Sequence, residues 1–282
     1  MSKIKVAELF YSIQGEGRYM GVPSVFLRTF GCNFKCSGFG MPKGELSEEY
    51  LNVDPAHYTE YGGLPLVSTG CDSYASWDPR FKHLSPLMDT VSIADAIVDT
   101  LPYKEWRDEH LVITGGEPLL GWQRAYPDLL NHTKMARLKE ITFETNGTQK
   151  LTDEFKDYLV QWQMPNLEFN REVTFSVSAK LSVSGEPASE AIRPDIVCSY
   201  QELGHTYLKF VIATEDDAEE ALEAVDIYRA EGFDGNVYLM PVGGVESVYT
   251  LNNKRVAELA MKMGLRYSDR LQVPLFKNAW GT

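Results

Sequence analysis

Cysteine is scarce in this chain: four among 282 residues, at positions 32, 36, 71 and 198. So few in so long a chain exclude a disulfide-stapled framework. In a reducing compartment, cysteines that lie close together more often serve metal or redox chemistry. Long apolar runs are missing too, and no stretch reaches the length of a membrane-spanning helix. The opening MSKIKVAELFYSIQGEG has neither the apolar block nor the small-residue cleavage site of a secretory signal, so a cytoplasmic location is expected. Positive charge is in deficit. A net charge of −13 argues against a nucleic-acid partner, which would need clustered Lys and Arg. It says little about a small-molecule substrate, which responds to local charge. The five histidines (57, 83, 110, 132 and 205) lack metal spacing and are given no role, and no internal repeat occurs.

What is present reads as a globular α/β chain. Hydrophobic residues make up 44% and charged residues 24%, ordinary for a folded domain. The length fits one domain over 1–282 with one excursion. Short β-rich runs at 6–10, 24–28, 111–114, 141–144, 173–178, 207–212 and 237–240 alternate with helical patterns. Ser92 can cap a helix over Ile93–Leu101, and Thr214-Glu-Asp-Asp217 resembles a capping box for a helix running to Arg229. Such alternation predicts βα units and a parallel sheet. Ser37 to Gly70 breaks the pattern. Its 34 residues hold six Gly, three Pro, five acids and one Lys, with no sustained period, so it reads as a long excursion rather than as core.

Two motifs carry chemistry. Cys32-Asn-Phe-Lys-Cys36 brings two thiols within one loop; by itself that spacing fits a metal site and a chance core pair equally. Thr114-Gly115-Gly116-Glu117-Pro118 follows an apolar strand and precedes a helical run. Paired glycines let a backbone approach a ligand closely, although Gly-Gly alone also suits a tight βα turn.

Together with Ile13-Gln14-Gly15-Glu16-Gly17, Gly21-Val-Pro23, Phe26-Leu-Arg28, Glu144-Thr-Asn146-Gly147, Ser178-Ala-Lys180, Leu208-Lys-Phe-Val211 and Arg266-Tyr-Ser268, these motifs resemble the 7-carboxy-7-deazaguanine synthases along nearly the whole chain. These are radical S-adenosylmethionine enzymes. The resemblance implies an open, partial βα barrel with its ligands at the C-terminal strand ends. It also implies a [4Fe–4S] cluster, S-adenosylmethionine, Mg²⁺, and ring contraction of 6-carboxy-5,6,7,8-tetrahydropterin to 7-carboxy-7-deazaguanine with loss of ammonia. Hydrogen abstraction then falls to a 5′-deoxyadenosyl radical, not to a protein acid or base. Carried over residue by residue, cofactor binding falls to Gly115, Gly116, Glu117, Glu144, Asn146, Ser178 and Lys180, with a solvated Lys the alternative for the last. Substrate binding falls to Gln14, Glu16, Arg28 and Gln272. A homodimer and a flavodoxin- or ferredoxin-type electron donor follow from the same resemblance.

The chain departs from the family pattern in three places. The family's cluster motif is CxxxCxxC, yet position 39 is Phe, and a cluster with one open iron needs three thiolates. Family members continue from the third cysteine into Asp-Thr, and here Cys71-Asp72-Ser73 matches that continuation. Cys71 is therefore expected to be the displaced third ligand, with 37–70 inserted in the cluster loop; a thiol unconnected with any cluster is the alternative. Ser73 stands where the family has a Mg²⁺-coordinating Thr and keeps the hard oxygen. Gln272 stands where the family often has His; it hydrogen-bonds but cannot titrate. Cys198 is expected in the core. Two rivals share part of these features: an activating enzyme for a glycyl-radical protein, and a clusterless pterin-binding protein.

Overall fold

The computed structural model describes residues 2–165 and 169–282. Among these residues nine strands form one open sheet, ordered β3-β1-β2-β4-β5-β6-β7-β8-β9. These are β1 (Lys3–Ile13), β2 (Pro23–Thr29), β3 (Leu87–Asp89), β4 (His110–Gly115), β5 (Glu140–Thr145), β6 (Glu172–Val177), β7 (His205–Ile212), β8 (Val237–Pro241) and β9 (Arg266–Tyr267). From β2 to β9 every neighbour is parallel, as the βα alternation predicts. β1 is the exception. It pairs antiparallel with β2, to which its link is too short for a crossover, and antiparallel with β3 on its other edge.

Period-two patterning explains how these strands curl. On one side Leu111, Ile113, Ile141, Phe143, Val173, Phe175, Leu208 and Phe210 join the main apolar core. The helices α1 (Thr90–Thr100), α2 (Tyr126–Leu130), α3 (Asp153–Trp162), α4 (Ala188–Ala191), α5 (Pro194–Gln201), α6 (Glu215–Ala230), α7 (Glu246–Met263) and α8 (Gln272–Phe276) accompany the strands. Among the alternate residues Thr142, Thr174, Ser176 and Lys209 are polar and buried. Buried polar groups need partners or a ligand, so this polar row marks the barrel lumen. α6 carries the expected capping box, Thr214 with Asp217. The cap of α1 is Asp89 rather than Ser92: the helix begins at Thr90, and the Asp89 carboxylate accepts the Ser92 N–H at 2.9 Å. Ser92 falls inside the first turn, where its own N–H needs an acceptor, and Asp89 holds the extended cap position that supplies one.

The β1–β2 connection packs against the N-terminal ends of β4 and β6. The Tyr19 ring lies 4.2 Å from His110, and its hydroxyl donates to Glu172 Oε1 at 3.0 Å. His110 meets the Thr142 hydroxyl at 2.8 Å, and burial drives its pKa down to about 3, so it is neutral. Arg18 pairs with Glu172 beneath.

Segment 37–70 is more than an excursion. Without regular strands or α-helices, it still buries Val53, Tyr61, Leu64 and Val67 against Tyr74, Trp77, Phe81 and Leu84 in a second apolar cluster. Trp280 seats on that cluster, 5.5 Å from the Tyr61 ring and 5.7 Å from Tyr74. Aromatic burial supplies the order that secondary structure does not.

Candidate active site

A cavity of about 250 Å³ opens among the C-terminal ends of β2 and β4 to β8. It is lined by every candidate residue named above except Glu117.

One wall is built from thiols. Cys32 and Cys36 lie in the loop after β2, while 37–70 leaves that loop and returns to it. Ser47 N–H donates to Ser37 O and Gly70 N–H to Phe39 O, both at 2.7 Å. The ends of the insertion are thereby pinched together, and Cys71 re-enters beside position 39. Cys32, Cys36 and Cys71 pack together with Phe34, Phe39 and Ala191, and none is in a disulfide. Burial pushes all three thiols up, Cys32 to about 12, and the nearby Cys71 raises Cys32 and Cys36 further. Among the described residues no three Cys, His, Asp or Glu stand close enough for a single metal ion. A multi-iron cluster spreads its thiolates over different irons and needs a wider set. Cys198 lies apart on α5, against the main core, as expected.

The backbone of this wall is strained and supported. Cys36 has φ of +51°, a left-handed conformation that costs a non-glycine residue of order 1–3 kcal/mol. Glu186 Oε1 accepts the N–H groups of both Lys35 (2.8 Å) and Cys36 (2.7 Å). The glycine pair packs against the same loop. A Cβ on Gly116 would stand 2.7 Å from Cys32 Cβ, and Glu117 N–H donates to Gly31 O at 2.8 Å. Glu117 itself turns away from the cavity. Fully buried, it accepts from the Thr145 hydroxyl (2.8 Å), Asn146 N–H (2.7 Å) and Leu119 N–H (3.0 Å). Burial outweighs those bonds and lifts its pKa to about 7.

The middle of the cavity is a hydroxyl and amide row. Glu144 accepts from Thr114 (2.9 Å) and from Gln14 Nε2 (3.0 Å). Lys180 donates to Ser178 at 2.9 Å, and its ammonium stands 5.9 Å from the Phe39 ring centroid. Phe39, where the family has cysteine, thus faces Lys180. Ser73 Oγ lies 3.4 Å from Cys71 Sγ.

The opposite wall is built from ion pairs. Glu16 receives Lys209, Arg270 Nε at 3.2 Å and Gln272 Nε2 at 2.8 Å. Burial would raise the Glu16 carboxyl, but Lys209 and Arg270 outweigh it and hold the pKa down to about 2. Arg270 also binds Asp72 and Gly243 O. Arg28 Nε donates to Glu8 at 2.9 Å, yet burial outweighs that pairing and leaves Glu8 above the usual carboxylate range.

Of the residues on these walls, Lys209, Arg270, Glu8 and Glu186 were not singled out from the sequence, while Asp72 was quoted only for its place after Cys71. Of those four, only Lys209 left a signal. A lone Lys inside the apolar run Tyr207-Leu-Lys-Phe-Val-Ile212 has to find a buried partner.

No family model matches the chain. It is 31% identical to the 7-carboxy-7-deazaguanine synthase of Halobacterium salinarum, over 98% of this chain and 91% of that protein. It is 26% identical to that of Pyrobaculum aerophilum, over 99% and 97%. Among solved structures, QueE from Escherichia coli superposes with a TM-score of 0.54 at 18% identity, covering 95% of this chain and 94% of the other. That likeness shows a shared fold.

Proposed function

The chain belongs to the 7-carboxy-7-deazaguanine synthases, and from that premise we propose how it works. It is a radical S-adenosylmethionine lyase of deazapurine biosynthesis, of the queuosine or archaeosine type. It contracts 6-carboxy-5,6,7,8-tetrahydropterin to 7-carboxy-7-deazaguanine and releases ammonia.

The donor set suits an iron–sulfur cluster. Three thiols share one wall, burial opposes their ionisation, and a cluster's positive irons would reverse that. Cys32, Cys36 and Cys71 would hold it, leaving one iron open. When bound, the cluster and S-adenosylmethionine together supply a hydrogen-abstracting radical. The chain's own residues bind and orient. The Gly115–Gly116 backbone, Glu144, Asn146, Ser178 and Lys180 receive the cofactor beside the thiols, while Glu117 fixes the Asn146 backbone from behind. Glu16, held ionised, accepts from the guanidine-like edge of the pterin. Its four lone-pair sites already take three donors, so one is left. Gln272 Oε1, buried without a partner among the described residues, is a spare acceptor on the same network. Arg28 pairs with the substrate carboxylate, Gln14 Oε1 steadies Glu16 by accepting its backbone N–H (3.0 Å), and Ser73 offers Mg²⁺ an oxygen. We further infer a single domain over 1–282, a homodimer, a flavodoxin- or ferredoxin-type donor and a cytoplasmic location; no helix among the described residues is long and apolar enough to cross a membrane.

The observation that carries the ligand set is the pinch between Phe39 and Gly70, which returns Cys71 to the cluster loop. Anaerobic turnover with carboxytetrahydropterin, reductant and S-adenosylmethionine, read by mass spectrometry, tests the whole reading. Deazaguanine formed over many turnovers per cofactor supports it. Stoichiometric 5′-deoxyadenosine without deazaguanine would favour a glycyl-radical activating enzyme, and a colourless protein a clusterless binder.

A further inference from the structure

Cys36 is the one proposed cluster ligand whose backbone is left-handed, at φ +51°. Something has to hold it there, and the contacts on either side come from a single turn after β6. Glu186 Oε1 accepts the consecutive N–H groups of Lys35 and Cys36 at 2.8 and 2.7 Å. Two residues on, Gly38 N–H donates to Ser184 O at 2.9 Å. The seat is tight: a Cβ on Gly38 would stand 2.6 Å from Val183 O and 2.7 Å from Gly185 N. Consecutive amides converging on one oxygen form an anion-binding concavity, and the anion here is built into the chain.

We propose that Glu186 is a positioning residue for the iron–sulfur centre, fixing the direction of the Cys36 thiolate and placing a fixed negative charge beside it. The proposal rests on the ligand set above. Two consequences follow from its chemistry. Removing the acceptor frees Cys36 to leave the left-handed region, which loosens the thiolate's aim. Removing only the charge keeps the aim and eases reduction, because cluster potentials respond to nearby charge and hydrogen bonding. A plain loop anchor would do neither. Glu220 on α6 supplies the comparison, since it grips the same turn through the Ser182 N–H (2.7 Å) and hydroxyl and makes no hydrogen bond to Cys32–Cys36 among the described residues.

The test uses the full chain, reconstituted anaerobically, as parent, Glu186→Ala, Glu186→Gln and Glu220→Gln. Four quantities are read: iron and sulfide per chain, the half-time of cluster loss to a chelator, the midpoint potential with the EPR spectrum of the reduced cluster, and thermal unfolding of the iron-free chain. Glu186→Ala should lose its cluster about 10–100-fold faster than the parent. Glu186→Gln, which keeps an acceptor oxygen, should hold iron near the parental level and shift the potential to less negative values. Glu220→Gln should leave rate and potential unchanged. Parental chelator resistance and spectrum in Glu186→Ala overturn the proposal, as do equal effects of Glu186→Gln and Glu220→Gln. If Glu186→Ala does not fold, the potential of Glu186→Gln decides. Failure of the underlying ligand set looks different: a full cluster in Cys36→Ala, which removes the basis for this inference as well.

Discussion

The two walls of the cavity meet the cost of burial in opposite ways. The thiol wall gathers three groups that burial keeps neutral, with Cys32 at about 12, so it waits for positive charge from outside the chain. The ion-pair wall buries Glu16 with Lys209 and Arg270, and its charges are settled before any ligand arrives. One wall would be completed by a cofactor; the other is already ion-paired and keeps a spare acceptor in Gln272 Oε1. A site can therefore be preorganised for binding on one side while its chemical side stays dependent on loading.

That contrast breaks most visibly at Cys71. Cys71→Ala, like Cys32→Ala and Cys36→Ala, should abolish the cluster and all cleavage of S-adenosylmethionine, while Cys198→Ala keeps iron and most activity. Iron and sulfide analysis decides, and a full cluster in Cys71→Ala with loss in Cys198→Ala would reverse the ligand assignment. On the charged wall, Lys209→Met strands buried charge and should cost about 3–5 kcal/mol in urea unfolding. Adding Glu16→Gln should recover much of that loss; a purely additive double variant would show that the pair is not coupled.

Glu117 lies behind the thiol wall and sharpens the contrast by titrating. Its carboxyl is raised from 4.5 to about 7, so the folded state holds a proton that the unfolded chain releases. The stability it contributes is full below about pH 4.5 and is lost as pH rises through 7, a change of about 3 kcal/mol. Glu117→Gln should flatten this slope in thermal melts between those pH values, and an unchanged slope would place the titration elsewhere. Arg28→Ala should weaken carboxytetrahydropterin binding by about 10–100-fold, the worth of a charged hydrogen bond, with uncoupled cofactor cleavage nearly intact. Equal loss of both would remove Arg28 from the substrate's carboxylate. The smallest effect belongs to Ser73→Ala, a few-fold higher Mg²⁺ requirement at constant iron, read from turnover against Mg²⁺ concentration; identical curves would dismiss the ligand.

The thiol wall was legible because its parts are local. Cys32 and Cys36 share a loop, Gly115 to Glu117 are consecutive, and Cys71 carries Asp72 and Ser73 with it. The ion-pair wall was half legible. Gln14, Glu16 and Arg28 sit in family segments, but their partners Lys209, Arg270 and Glu8 come from other strands and from the segment after β9, and no periodicity links them. The inward turn of Glu117 had no signal either, because whether a carboxylate faces ligand or core depends on Thr145 and Asn146 across the sheet. The order within 37–70 was missed for a related reason. Tyr61, Leu64 and Val67 follow no repeat, yet they pack because Tyr74, Trp77 and Trp280 surround them.

The placement of the cavity carries a consequence for traffic through the enzyme. Tyr19, His110 and Glu172 pack together at the lower end of the barrel, and the cavity described above lies at the opposite end, among the C-terminal strand ends. Substrate and S-adenosylmethionine received in that one cavity would share an opening at the strand ends. Arrivals and departures at a shared doorway are sequential, so the molecule seated deepest is the first to enter and the last to leave, and a reaction that regenerates its cofactor need not empty the doorway at each cycle.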